Sequence, residues 1–153
     1  MTGRQQVRLD AGVAGAIRRH GETTFPDECC GALVGEADRV TAVVPLPNTT
    51  EEGPRRRFLV RSSDYRMAEQ RATELGGVLL GFYHSHPDHP ARPSQFDLDH
   101  AWPTFAYVIV SVMAGSARDM TVWFLKDDRS SFDEGDLYGN ENPDSNTTAA
   151  LHG

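Results

Sequence analysis

Apolar and polar positions along this chain repeat at two spacings, and the changes between them mark its elements. Asp10 stands where a helix N-cap belongs, and Val13, Ala14 and Ile17 follow at helical spacing up to Gly21, a natural stop. The run Cys30-Gly-Ala-Leu-Val-Gly35 is short, apolar and bounded by glycines, which predicts a buried strand. Val40 to Leu46 is rich in β-branched residues and predicts its partner, with a turn over Gly35 to Arg39. Residues 47–57 (PNTTEEGPRRR) form a polar connection, and Phe58-Leu59-Val60 predicts a brief strand.

Ser62 or Ser63 then caps a helix whose apolar stripe is Met67, Ala68, Ala72 and Leu75, stopped by Gly76-Gly77. Val78 to His84 is a continuous apolar strand that ends in the polar, proline-rich loop SHPDHPARP. Ser94 opens a further helix, through about Ala101, and Trp102-Pro103 breaks it. Phe105 to Val112 and Met120 to Leu125 predict two strands joined by Ala114-Gly115-Ser116. From about Gly135 the periodicity is lost and Asn, Asp, Gly and Thr dominate, the composition of a disordered tail. Helices interleaved with strands imply an α/β domain with a single mixed central sheet flanked by helices. The expected organisation is one domain over residues 1–134 and a tail over 135–153, and no internal repeat interrupts it.

Composition narrows the function classes. Hydrophobic residues make up 39% and charged residues 24%, the balance of a soluble globular protein. No apolar run reaches the roughly 18–20 residues that span a bilayer, and MTGRQQVRLD offers no secretory signal, so the expectation is a cytoplasmic protein without a membrane partner. The formal charge of −7 argues against nucleic acid, which needs a basic face. The one basic cluster, Arg55-Arg56-Arg57, follows Gly53-Pro54 and reads as a solvated loop, with partner docking as the alternative. The two cysteines, Cys29 and Cys30, are adjacent and cannot staple distant segments, so stability rests on a packed core.

The chemistry concentrates after the Val78 strand. In His84-Ser85-His86 the two imidazoles are two apart, so on a strand they share a face about 6–7 Å apart and can converge on one ion. Alone, a His-x-His pair is weak. Asp97, eleven residues beyond His86 and on the first turn of the next helix, can close on the same ion. Two nitrogens and one oxygen leave the fourth tetrahedral position of zinc open, the coordination of a catalytic site. Ser94 and Asp97 also spell a helix-capping box, a structural role compatible with a hydroxyl aimed at substrate. Glu28, just before the glycine-bounded strand, is either a surface residue or the non-ligand base that a zinc hydrolase needs, and it is the acid best placed for that. Cys30 shares its strand face, as a buried small hydrophobe or as a thiolate near the metal. His89 and His100 read as exposed, and Tyr83, Tyr107, Trp123 and Phe124 as core.

His84-x-His86, seven residues, Ser94, two residues, Asp97, with Glu28 well upstream, resembles the full JAMM signature of the MPN-plus metallopeptidases, E…HxHx7Sx2D. Glu28 to Gly35, Tyr83 to Asp88, Pro90 to Ser94 and Tyr107 to Ser111 resemble the short bacterial branch of that family, and the resemblance runs from Val7 to Phe132. It implies an MPN/JAMM, cytidine-deaminase-like fold and one zinc per chain on His84, His86 and Asp97. Glu28 would be the general acid/base, and Ser94 would stabilise the oxyanion. The implied substrate is a ubiquitin-like sulfur-carrier protein, cut at an amide or isopeptide bond after its C-terminal Gly-Gly. The long insertions of the eukaryotic deubiquitinase relatives are missing, so polyubiquitin is not the expected substrate. Two rival readings stand beside this: a non-catalytic MPN-type scaffold, whose members lose ligand positions that are all present here, and a zinc hydrolase of a small amide.

Overall fold

A computed structural model of the chain describes residues 4–47 and 61–141. Its elements run β1 (Gln6–Leu9), α1 (Val13–Thr24), β2 (Cys30–Glu36), β3 (Arg39–Leu46), α2 (Ser62–Glu74), β4 (Val78–Pro87), α3 (Gln95–Asp99), β5 (Ala106–Met113), β6 (Ser116–Leu125), β7 (Phe132–Glu134) and β8 (Asp136–Tyr138). Among the described residues the strands form one eight-stranded sheet in the order β7-β6-β5-β4-β2-β3-β1-β8. The sheet is mixed: β4 and β5 run parallel, as do β1 with β3 and β1 with β8, while the other pairs are antiparallel. The expected α/β architecture with helices on a single mixed sheet is therefore the one found.

The central strands are apolar over most of their length, β4 as far as Tyr83, because both of their faces are covered. On one face α1 sets Val13 and Ile17 against Leu33, Tyr83, Val108, Val110 and Val112. On the other, Ala68 and Ala72 of α2 pack on Ala32, Val34, Phe82 and Tyr107. Fully burying a side chain such as Ile17 contributes about 1.5–3 kcal/mol. Gly31 is dictated by its neighbour: a Cβ there would stand 2.2 Å from the Tyr83 ring.

The parallel β4–β5 pair also decides where chemistry can sit. Parallel strands cannot be joined by a tight hairpin, so the chain must leave the end of β4 and travel back before starting β5. Residues 88–105 make that return, and α3 lies within it.

Several expectations need correction. Asp10 does not cap α1; its carboxylate pairs with Arg39 at 2.6 Å, and the cap position is Gly12 at φ 90°. Gly21 does not stop α1, which continues to Thr24; Gly21 is not among the positive-φ glycines, and its bare Cα lets Val112 pack close. In α2 only Ala68 and Ala72 of the proposed stripe are buried, while Met67 and Leu75 are exposed at 40% and 47%. The helix begins at Ser62 itself, with the Asp64 carboxylate accepting the Arg61 N–H. β4 runs on to Pro87, since its ladder with β5 continues through Pro87 opposite Val112. The helix opened by Ser94 ends at Asp99 rather than near Ala101. β1, β7 and β8 were not foreseen, and β8 lies inside the stretch read as tail, where Leu137 pairs with Val7. The Arg55–Arg57 cluster, the 58–60 strand and residues 142–153 lie outside the described residues.

Candidate metal centre

His84 and His86 stand on the last turns of the pleat in β4, on the face that also carries Phe82. Both are held inside the ladder, opposite Ile109 and Ser111 of β5, and both are buried. Period-two geometry brings their rings to 4.9 Å between centroids and their Nε2 atoms to 3.1 Å. The Nδ1–H of His86 donates to the carbonyl of Pro90 at 3.0 Å. That bond assigns the tautomer, leaving a lone pair on Nε2. Burial holds the His84 imidazole below its ordinary pKa against the opposing pull of Asp97, which favours the neutral form that ligates metals.

Asp97 reaches the pair from α3. Ser94 caps this helix: its Oγ accepts the Asp97 N–H at 3.0 Å, and its own N–H donates to Asp97 Oδ2 at 2.8 Å. The capping box thereby fixes the carboxylate, whose Oδ2 lies 3.3 Å from His84 Nε2 and 3.2 Å from His86 Nε2. Burial would raise the Asp97 pKa, but the two imidazoles outweigh it and hold the carboxyl well below the usual range.

These three atoms form a nearly equilateral triangle. Zinc bonds of about 2.0–2.1 Å at tetrahedral angles require ligand separations of about 3.3–3.4 Å. The observed edges of 3.1, 3.2 and 3.3 Å match. Two imidazole nitrogens and a carboxylate oxygen at that spacing suit one cation, and His84, His86 and Asp97 are the metal-binding group found among the described residues. The donor set therefore fits zinc.

Glu28 is 7% exposed and lies two residues before β2. Cys30 lies opposite His84, and the Cys29 N–H donates to Ser85 Oγ at 2.8 Å. Extending the Cys30–His84 register by two residues sets Glu28 opposite His86, and alternation puts it on the face of Cys30 and His84. Cys30 is buried, its Sγ lies 3.5 Å from the Leu46 carbonyl oxygen, and burial pushes its pKa far up. Cys29, on the opposite face, is pushed up to about 11 by the same cause. His89 and His100 are exposed, while Tyr83 and Tyr107 are buried and Trp123 and Phe124 partly so. Sequence reasoning missed the Pro90 carbonyl, because a backbone acceptor has no residue signature. A cavity of about 430 Å³ opens at the other end of β4, by Leu79, Leu80, Asp38 and Lys126, and shares no residue with the triangle.

A family model described as prokaryotic homologs of the JAB domain matches residues 10–126. The chain is 36% identical over 89 residues to a protein named desampylase from Haloferax volcanii, a match covering 56% of this chain and 63% of that one. It is 34% identical over 98 residues to a probable TtuB-protein conjugate cleaving protease from Thermus thermophilus, covering 64% and 65% respectively. The matches thus span less than two thirds of each of these relatives. Among solved structures, a protein from Salinibacter ruber is 40% identical with a TM-score of 0.69, covering 90% of this chain and 93% of its own. A JAB1/MPN domain protein from Archaeoglobus fulgidus, 18% identical with a TM-score of 0.54 over 86% of this chain and 98% of its own, shares the fold.

Proposed function

This chain belongs to the prokaryotic homologs of the JAB domain, and from that premise we propose that it is a zinc-dependent metallopeptidase. Its bond is the amide or isopeptide bond after the C-terminal Gly-Gly of a ubiquitin-like sulfur-carrier protein. The observation that carries the reading is the His84–His86–Asp97 triangle, with edges of zinc-site length and a buried carboxylate, Glu28, on the same face. The names of the two curated relatives, a desampylase and a conjugate-cleaving protease, support the substrate class.

His84, His86 and Asp97 would hold the zinc, which when bound would supply Lewis-acid polarisation of a carbonyl and activation of water at neutral pH. Glu28 takes the proton from the attacking water and returns it to the departing amine. Ser94 Oγ already accepts the Asp97 N–H, so its own proton is left to donate to the developing oxyanion. A donor of this kind is typically worth about 3–4 kcal/mol. The catalytic unit is a single domain over residues 1–134, to which β8 adds a strand. A glycine tail suits the site because it lets the substrate backbone approach the metal closely.

The test offers the zinc-loaded protein a sulfur carrier extended by one residue past Gly-Gly, the same carrier ending Ala-Ala, and a small acyl-amide. Mass spectrometry should show release of the terminal residue from the Gly-Gly carrier and little from the other two. Equal turnover of the small amide would contradict the substrate assignment.

A further inference from the structure

We infer that Ser111 and Thr121 are positioning residues for His86, acting through the backbone of residues 89–91. His86 depends on the Pro90 carbonyl for its tautomer and ring angle, yet His89 and Pro90 lie on an exposed loop. An exposed loop on its own leaves the direction of a peptide carbonyl loosely set. Here the carbonyls on both sides of Pro90 are tied to the sheet. Ser111 Oγ–H, on β5, donates to His89 O at 2.6 Å, and Thr121 Oγ1–H, on β6, donates to Ala91 O at 2.7 Å.

The anchors come from well-fixed places. Ser111 is buried and pairs in register with His86 itself. Thr121 lies opposite Ile109, and Trp123 Nε1–H donates to Thr121 Oγ1 at 2.7 Å, which turns the threonine proton toward Ala91. Pro90 O also accepts the Arg92 N–H at 2.8 Å. Three successive carbonyls are thereby held, the outer two by hydroxyls of the sheet and the middle one pointing at the ligand. Groups that orient a metal-bound histidine govern metal affinity, typically by 10–100-fold.

The inference rests on reading the triangle as a zinc site, and its test keeps the two apart. Zinc affinity is measured by competition with a chromophoric chelator, well below the melting temperature, alongside a melting curve for each variant. Thr121→Val keeps the branched shape and removes the hydroxyl; Ser111→Ala removes the other. Each should weaken zinc several-fold, and the pair together about 10–100-fold. Thr121→Ser keeps the donor and should bind within about twofold of wild type, as judged against the 10–100-fold range of the double variant. Val122→Ala, whose side chain faces the opposite core, should lower the melting temperature and leave zinc affinity unchanged. Should the double variant not fold, the Thr121→Val and Thr121→Ser pair decides. Folded hydroxyl-free variants that hold zinc as tightly as wild type would overturn the positioning role alone. A wild-type chain without zinc affinity would overturn it together with the metal site.

Discussion

Asp97 shows how one atom can serve fold and chemistry together. Its Oδ2 accepts the Ser94 N–H and faces both histidine Nε2 atoms, so the bond that caps α3 also aims the ligand. Ser94→Ala keeps that backbone N–H but removes the Oγ that accepts the Asp97 N–H. It should therefore act twice: a loss of about 1 kcal/mol of stability from the missing side-chain cap, and about a 10²-fold fall in turnover from the missing oxyanion donor. Zinc content should be unchanged, and a variant with normal turnover would remove Ser94 from the reaction. Glu28→Gln should keep its zinc and lose nearly all turnover, because only the proton carrier is gone. Loss of zinc in that variant would make Glu28 a ligand instead. The triad was legible in the sequence because strand period and capping box fix the offsets of His84, His86 and Asp97 locally. Ser111 and Thr121 were not, since their bonds to His89 and Ala91 span 22 and 30 residues and exist only once β4, β5 and β6 are in register.

At the scale of elements, α3 is the surprising carrier of a ligand. It has five residues, none of them buried, and isolated helices shorter than about 12–15 residues are marginal in water. Anchors beyond its C-terminal end hold it. The Tyr107 hydroxyl accepts the Trp102 N–H and donates to the Trp102 carbonyl at 3.3 Å, and Arg129 donates to Ala101 O at 3.0 Å. Trp102 in turn stacks on Tyr65 of α2, with 4.9 Å between ring centroids. Tyr107→Phe should cost about 1–2 kcal/mol in denaturant unfolding, because the Trp102 N–H loses its acceptor. An unchanged midpoint would show that the helix exit is held by packing alone. The long apolar strands were readable for the reason that they are buried on both faces. The short ones were not: Phe132–Glu134 and Asp136–Tyr138 are three residues each, too brief for a period, and acquire their state from β6 and β1.

For the whole molecule, those short strands draw the two ends of the sheet together. Gly135 sits between β7 and β8; its N–H donates to Val122 O, and the next N–H, of Asp136, donates to Gln5 O. A Cβ at Gly135 would meet the Phe124 ring at 2.5 Å, so glycine is what the junction admits. Pairing at both ends leaves less open edge for another chain to add to. No helix among the described residues is long and apolar enough to cross a membrane. Within this frame the central strands carry His84 and His86 to one end of β4, and the return to β5 brings Asp97 back over them. Zinc per chain, determined by elemental analysis of protein purified without added metal, decides whether that convergence is a metal site. One equivalent is expected in the wild type and a marked loss in the folded His84→Ala, His86→Ala double variant; one equivalent retained by the double variant would contradict the site.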